Sequence, residues 1–219
     1  MSDIKALVVD YGGVLTVPLR AAFDGWLEQE QVTPQEFVDL LMEWRDLPDN
    51  PIHRLETGQI SEEEFATAVT ERLRRTDGGA VPPVGLLERM LRGLEFDRDA
   101  LVMLQAARAA GLRTGLLSNS WGLAMYPWAD LEPLLDVQVV SGQVGLRKPD
   151  PAIYQLAAGE LGVTPSQCAF VDDLQHNVDA ARELGMFAVL HTDLPSTLAA
   201  LVAGVPEMAP YLSLQARGD

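Results

Sequence analysis

The chain has little positive charge and no long apolar run. Its 219 residues include 16 lysines and arginines against 32 aspartates and glutamates, which gives a net charge of −16. A protein of this sign repels the phosphates of nucleic acids and of anionic membranes. No stretch approaches the roughly 20 apolar residues of a membrane-spanning helix, and no signal-peptide pattern follows the N-terminus. We therefore expect neither nucleic acid nor membrane as a partner.

Cysteine is almost absent. The single Cys168 cannot form a disulfide within the chain, which favours a reducing compartment, and we expect a cytoplasmic protein. Because Cys168 lies in an apolar run, a buried and inert thiol is expected rather than a nucleophile. The length suits one domain, or a core with an insert, and a monomer or homodimer.

Five short apolar segments have the length and composition of buried strands. They are residues 4–9, 112–118, 137–140, 168–171 and 187–190. Helical segments between the later strands end at Gly111, Gly162 and Gly185, and glycine is common just past a helix end. These helices are predicted at residues 99–110, 151–161 and 174–184. The alternation predicts an α/β fold with a Rossmann-like parallel sheet and right-handed crossovers.

Residues 18–95 contain no convincing strand. Thr33 with Glu36 and Ser61 with Glu64 form capping boxes, which predict helices over about 34–46 and 62–75. Residues 76–83 are typical of a turn. We therefore predict a core of residues 1–17 and 96–219 and a helical cap of residues 18–95, placed to close over a site. The tail from Gly204 onward has weak periodicity and is expected to pack loosely.

Polar side chains follow the predicted strands, where parallel sheets bind ligands. Asp10 ends the first strand, and Gly12 leaves no second side chain beside it. Each polar residue alone has an ordinary role as a turn, cap or surface residue. Together they supply the carboxylates, ammonium, hydroxyl and amide that hold a divalent cation and a phosphate. The later members of this set are Ser118, Asn119, Lys148, Asp172, Asp173 and Asn177.

Lys148 is notable because the chain uses arginine for 14 of its 16 basic residues. A compact ammonium suits a place between carboxylates better than the planar fork of arginine.

The order and spacing of these segments resemble the haloacid dehalogenase superfamily of aspartyl-nucleophile hydrolases. The matching segments are VVDYGGVLT around Asp10, LLSNS around Ser118, GLRKPDP around Lys148 and FVDDLQHNV around Asp172 and Asp173. The resemblance covers about residues 4–192. Within the superfamily, the chain is most similar to sugar-phosphate phosphatases and to the phosphatase domain of soluble epoxide hydrolase. The cap at residues 18–95 stands where this family carries its first-position cap.

The resemblance implies a Mg²⁺-dependent phosphomonoester hydrolase that forms an aspartyl-phosphate on Asp10 and acts on a small, sugar phosphate-like metabolite. Asp10, the carbonyl of Gly12 and Asp173 would bind Mg²⁺, with Asp172 and Asn177 supporting them. Lys148 and Ser118 would act in catalysis. The phosphate oxygens would be held by these two side chains, Asn119 and the backbone near Tyr11 and Gly12.

Specificity is expected to come from the cap, where Arg45, His53 and Arg54 are the candidates. Trp26 and Trp44 are expected in its core.

The chain departs from the family pattern at Gly12. Phosphatases of this family usually carry a second aspartate two residues after the nucleophile, and it protonates the leaving alkoxide. Such general acid catalysis is worth about 10² to 10⁴ in rate. The residues leave several alternatives open: a substrate whose leaving group needs little protonation, a substitute proton donor such as His53, or a weakly active binding module. A 2-haloacid dehalogenase also remains an alternative, although that chemistry does not need a cation site at Asp172 and Asp173.

Overall fold

A parallel sheet of five strands lies at the centre of the protein. The computed structural model describes residues 3–215. Its strands are β1 (Ala6–Val9), β2 (Arg113–Ser118), β3 (Val137–Val140), β4 (Cys168–Asp172) and β5 (Phe187–Leu190), in the order β3-β2-β1-β4-β5. Each strand lies within two residues of its predicted bounds. The predicted α/β, Rossmann-like fold is confirmed.

The central strand β1 is buried along its whole length. Val9, its last residue, is in register with Leu116 of β2 and Val171 of β4. The residue after Val9 is Asp10, which therefore lies beside the carboxyl ends of both neighbouring strands. Cys168 begins β4, and burial raises the pKa of its thiol to about 11. This thiol is therefore protonated at neutral pH, as expected of an inert cysteine.

Helices cover the sheet. Seven α-helices follow residue 100: α6 (Val102–Ala109), α7 (Trp128–Leu131), α8 (Ser141–Val144), α9 (Pro151–Glu160), α10 (Gln175–Glu183), α11 (Leu194–Gly204) and α12 (Ala209–Gln215) within the described residues. A single 3₁₀ turn precedes α6, so the helix predicted at residues 99–110 divides in two. Gly111, Gly162 and Gly185 have positive φ angles, as a helix stop requires.

A second group of helices has a hydrophobic core of its own. The group, called the helical insert below, consists of α1 (Leu19–Glu30), α2 (Pro34–Arg45), α3 (Pro51–Glu56), α4 (Glu62–Arg72) and α5 (Leu86–Leu91). Both predicted capping boxes are present at the starts of α2 and α4. Trp26, Trp44 and Phe65 pack in the interior of the helical insert, so the two tryptophans lie where expected.

The two chain segments that connect the helical insert to the sheet are bonded to each other. Thr16 and Phe96 form an antiparallel bridge, and the Val17 N–H donates to the Glu95 carbonyl at 2.9 Å. The predicted domain boundaries at residues 18 and 95 fall beside this bridge and stay a prediction. Within residues 3–215, no helix has both the length and the apolar character needed to cross a membrane.

The expectation of a loosely packed tail is wrong for the residues that the structure describes. Val205 and Met208 are buried in the main core, and α12 packs against α6. Two apolar residues three apart are enough to anchor the segment, although they are too few to give a visible periodicity. Residues 216–219 of the predicted tail lie outside the described residues.

Candidate active site

A buried lysine lies between two aspartates at the carboxyl edge of the sheet. The Nζ atom of Lys148 is 2.7 Å from Oδ1 of Asp10 and 2.7 Å from Oδ2 of Asp172. The side chains of Lys148 and Asp172 are 1% and 0% exposed, so water screens these charges poorly. Both aspartates raise the pKa of Lys148 against the opposing effect of its burial. The ammonium is therefore a fixed positive charge next to Asp10.

Asn119 holds the backbone of Lys148 from both sides. Its Nδ2 donates to the Lys148 carbonyl at 3.1 Å, and its Oδ1 accepts from the Lys148 N–H at 2.8 Å. Asn119 follows the end of β2, whereas Lys148 lies in the segment between α8 and α9. The Asn119 amide therefore fixes the segment that carries the ammonium, while its predicted contact with phosphate oxygens stays a prediction.

Asp172 has donors on both carboxylate oxygens. Oδ1 accepts from the Leu174 N–H at 2.9 Å and Oδ2 accepts from Lys148, while Nδ2 of Asn177 lies within 3.1 Å of both oxygens. A carboxylate this fully bonded is rigid. Asp172 and Asn177 are therefore bonded to each other beside Lys148, and their supporting role stays a prediction.

Asp10, Asp172 and Asp173 bring carboxylate oxygens within 4.8 Å of one another. Burial raises the pKa of Asp10 to about 7, with Lys148 opposing and the other two aspartates adding to the rise. Burial and the charge of Asp172 raise the pKa of Asp173 to about 6. Because Asp172 is already fully bonded, Asp10 and Asp173 are the carboxylates left for a cation. Carboxylates this close together suit a hard divalent ion such as Mg²⁺.

Gly13 makes room for Asp173. A Cβ atom on Gly13 would lie 2.2 Å from Oδ2 of Asp173, and the φ angle of Gly13 is +74°. The N–H of Gly13 donates to Oγ1 of Thr16 at 3.0 Å, which fixes the turn. The turn after β1 therefore needs glycine at position 13 for both space and conformation.

Tyr126 contacts both Ser118 and Tyr11 beneath the site. The Tyr126 hydroxyl donates to Oγ of Ser118 at 2.9 Å, and the Tyr11 and Tyr126 rings are 4.7 Å apart. The Tyr11 side chain is buried in the main core, while its N–H donates to Oδ1 of Asp10 at 2.7 Å. Tyr11 thus faces the site through its backbone, and its predicted contact with phosphate stays a prediction. Tyr126 was not predicted, because nothing in its local sequence marks it.

A cavity of about 480 Å³ opens above Asp10, between the sheet and the helical insert. Most of the predicted site residues line it: Asp10, Gly12, Ser118, Asn119, Lys148, Asp173, Asn177 and the candidate His53. Tyr11 and Asp172 lie beneath its surface. Residues that the sequence did not predict also line it, and the polar and aromatic ones among them are Arg20, Glu56, Trp121, Arg147 and His176. Of these, Arg147 and His176 had a local signal, since they lie in the GLRKPDP and FVDDLQHNV segments.

Two of the three specificity candidates of the predicted cap lie away from this cavity. Arg54 pairs with Asp49 at 3.2 Å, and Arg45 is exposed near the sulfur of Met42. Neither lines the cavity, because α2 and α3 turn these side chains outward when they bury Trp44 and Leu55. His53 does line it, and burial and the nearby Arg147 lower its pKa.

Comparison with known proteins agrees with this architecture. The chain is 28% identical over 218 residues to bifunctional epoxide hydrolase 2 of Sus scrofa, covering 92% of this chain and 39% of that protein. A phosphatase of Mycobacterium tuberculosis is 41% identical over 96 residues, covering 42% of this chain and 44% of that protein. The chain thus spans about two fifths of the length of the epoxide hydrolase.

A solved structure has the same fold. It is a HAD family enzyme of Bacteroides thetaiotaomicron in complex with magnesium and inorganic phosphate, with a TM-score of 0.69 and 22% identity. The match covers 89% of this chain and 98% of that one. A family model described as a haloacid dehalogenase-like hydrolase matches residues 4–185. The chain therefore belongs to the haloacid dehalogenase-like hydrolases.

Proposed function

We propose that this hydrolase is a Mg²⁺-dependent phosphomonoester hydrolase that acts through an aspartyl-phosphate on a small phosphorylated metabolite of the sugar phosphate class. The observation that carries the proposal is the position of Asp10 at the floor of the cavity, 2.7 Å from the Lys148 ammonium. That ammonium lowers the cost of bringing an anionic phosphate against an anionic nucleophile. The free thiol of Cys168 supports a reducing, cytoplasmic setting.

The reaction would proceed in two displacements at phosphorus. A carboxylate oxygen of Asp10 forms a bond to phosphorus while the ester P–O bond breaks, and the leaving oxygen takes a proton from solvent and departs as the alcohol. Water then attacks phosphorus and loses a proton to solvent, the bond to Asp10 breaks, and inorganic phosphate is released. Ser118 and Lys148 are the side chains in place to hold the phosphate oxygens, and Asn119 keeps Lys148 in register.

The donor set fits Mg²⁺. Asp10, Asp173 and the backbone carbonyl of Gly12 would hold the ion, with Asp172 reserved for Lys148. When bound, Mg²⁺ supplies positive charge that neutralises the phosphate oxygens. Asp172 accepts from both Lys148 and Asn177, which fixes the lysine beside Asp10.

Phosphate release from p-nitrophenyl phosphate and a panel of sugar phosphates tests the proposal. We expect turnover that requires Mg²⁺, stops with a chelator, and is lost in Asp10→Asn. Asp179→Asn is the matched control, because Asp179 is an exposed aspartate on α10 that pairs only with surface residues. Absence of Asp10-dependent phosphate release on every substrate contradicts the proposal. Mg²⁺ binding without turnover would identify a binding module, and halide release from 2-haloacids would identify a dehalogenase.

A further inference from the structure

Glu56 belongs to the helical insert, but its carboxylate is bonded to the sheet side of the cavity. It is the last residue of α3, and its side chain is 8% exposed. Oε1 accepts from the indole Nε1 of Trp121 at 3.0 Å, and Oε2 accepts from Nε of Arg147 at 2.6 Å. Trp121 follows β2 in the chain but packs against Phe65 inside the helical insert, so Glu56 ties that segment to the insert through Oε1 and reaches the sheet side through Oε2 and Arg147.

The backbone of the same segment makes a second set of contacts. The Ser141 hydroxyl donates to the Glu56 carbonyl, and the Oγ atom of Ser141 also accepts from the Ser120 N–H at 2.8 Å. Two residues further on, a Cβ atom on Gly58 would lie 2.6 Å from the Gly142 carbonyl oxygen, at a φ of +69°. Glycine at position 58 lets the end of α3 approach α8 this closely.

The segments that Glu56 contacts are those that carry the site. Arg147 directly precedes Lys148, and Trp121 follows Asn119 by two residues. Asn119 is in turn bonded to the backbone of Lys148. A short covalent and hydrogen-bonded path therefore runs from Glu56 to the ammonium beside Asp10.

We propose that Glu56 is a positioning residue that holds the helical insert closed and, in the same contacts, aligns the segments carrying Lys148 and Asn119. Charge-assisted hydrogen bonds in a buried setting are strong and directional, so this carboxylate fixes geometry as well as closure. When the helical insert lifts away, water replaces Arg147 as a partner of Glu56, and Lys148 loses part of its alignment. The catalytic half of this inference rests on the proposed phosphatase function, while the closure half does not.

The chain supplies a matched control for Glu56. Glu30 of α1 pairs with Arg89 of α5 at 2.5 Å, and the Glu30 side chain is 10% exposed. This pair is similarly buried and lies wholly within the helical insert. Removing the charge of Glu30 perturbs the helical insert but leaves the contact between the insert and the sheet side intact.

The test compares Glu56→Gln with Glu30→Gln by hydrogen–deuterium exchange of the whole protein and by turnover of p-nitrophenyl phosphate with Mg²⁺. In Glu56→Gln we expect exchange to speed up about tenfold or more in residues 51–58 and 141–148. We also expect kcat to fall about tenfold, with KM changed by less than about threefold. Glu30→Gln should leave exchange in residues 141–148 and kcat unchanged, even where it lowers Tm as much.

A double-mutant cycle with Arg147→Gln separates a specific pair from general damage. If Glu56 acts through Arg147, adding Glu56→Gln to Arg147→Gln costs little further kcat. Equal effects of Glu56→Gln and Glu30→Gln on exchange in residues 141–148 and on kcat overturn the proposal, and so do additive losses in the cycle. If the unaltered protein releases no phosphate, the proposed function fails, and the exchange experiment still decides whether Glu56 holds the insert closed.

Discussion

Leu19 covers the position where a side chain on Gly12 would project. A Cβ atom on Gly12 would lie 3.2 Å from Cδ1 and 3.6 Å from Cγ of Leu19, the first residue of α1. The helical insert therefore places an apolar group where the family usually carries its proton-donating aspartate. Leu19 can pack this closely because position 12 carries no side chain.

This packing predicts how an aspartate at position 12 would behave. In Gly12→Asp alone, Cδ1 of Leu19 must shift by a few tenths of an ångström, so we expect a smaller gain in turnover of alkyl phosphates than when Leu19 is also removed. Gly12→Asp with Leu19→Ala should raise kcat/KM for an alkyl phosphate by about 10², the low end of general acid catalysis. The gain should be much smaller for p-nitrophenyl phosphate, whose leaving group needs little protonation.

Leu19→Ala alone is the control and should show no gain. Equal alkyl-phosphate turnover in the double variant and in Leu19→Ala would mean that proton transfer to the leaving group does not limit the rate in this protein.

Lys148 is predicted to matter for stability as well as for catalysis. Lys148→Met leaves Asp10 and Asp172 buried without their shared counter-charge, which we expect to lower the free energy of unfolding by about 3–5 kcal/mol. Adding Asp172→Asn removes one of the two unpaired charges and should recover part of that loss. Urea unfolding measures the stabilities, and neither variant should release phosphate from p-nitrophenyl phosphate. A Lys148→Met protein as stable as the parent would refute this account of the buried cluster.

The strands and the strand-end residues could be predicted from the sequence because both are local signals. Short apolar runs mark the strands, and parallel pairing brings their carboxyl ends to one edge, so Asp10 and Asp172 had to be neighbours. Neither end of α1 gave such a signal. Pro18, before the helix, makes no side-chain cap, and Gln31, after it, takes the left-handed conformation that usually marks a glycine.

Contacts between the helical insert and the sheet could not be predicted. Glu56 and Arg147 are 91 residues apart, and their pairing depends on how the helical insert docks. The same docking decides which arginines face the cavity, so Arg20 faces it while Arg45 and Arg54 do not. A sequence pattern shows which face of a helix is apolar, but it does not show the direction in which a packed group of helices turns.

Metal binding should stabilise the folded protein through Asp173. A ligand that binds only the folded state at about 100 times its Kd adds about 2.7 kcal/mol, so Mg²⁺ should raise Tm and a chelator should reverse the rise. Asp173→Asn removes one of the two free carboxylates, and we expect its Tm to respond little to Mg²⁺. Asp179→Asn should respond as the parent does. A full Mg²⁺ response in Asp173→Asn would exclude Asp173 as a ligand.

We expect His191 to make the free energy of unfolding depend on pH, whether or not a metal is bound. It follows the end of β5, where its Nδ1 lies 2.9 Å from Oγ1 of Thr197. Burial lowers the pKa of His191 below its usual 6.5, while Asp193 and Asp97 oppose the shift. Because the folded state binds this proton less tightly than the unfolded chain, the associated stability is present above the unfolded-state pKa and is lost as pH falls below it.

His191→Gln, which cannot be protonated in this range, isolates the effect. The free energy of unfolding of the parent, minus that of His191→Gln, should fall as pH is lowered from about 8 to about 5, as measured by urea unfolding in the presence of a chelator. A difference that stays constant, or that grows toward low pH, would show that the folded state does not disfavour the imidazolium. The pair with Thr197 would then persist with His191 protonated.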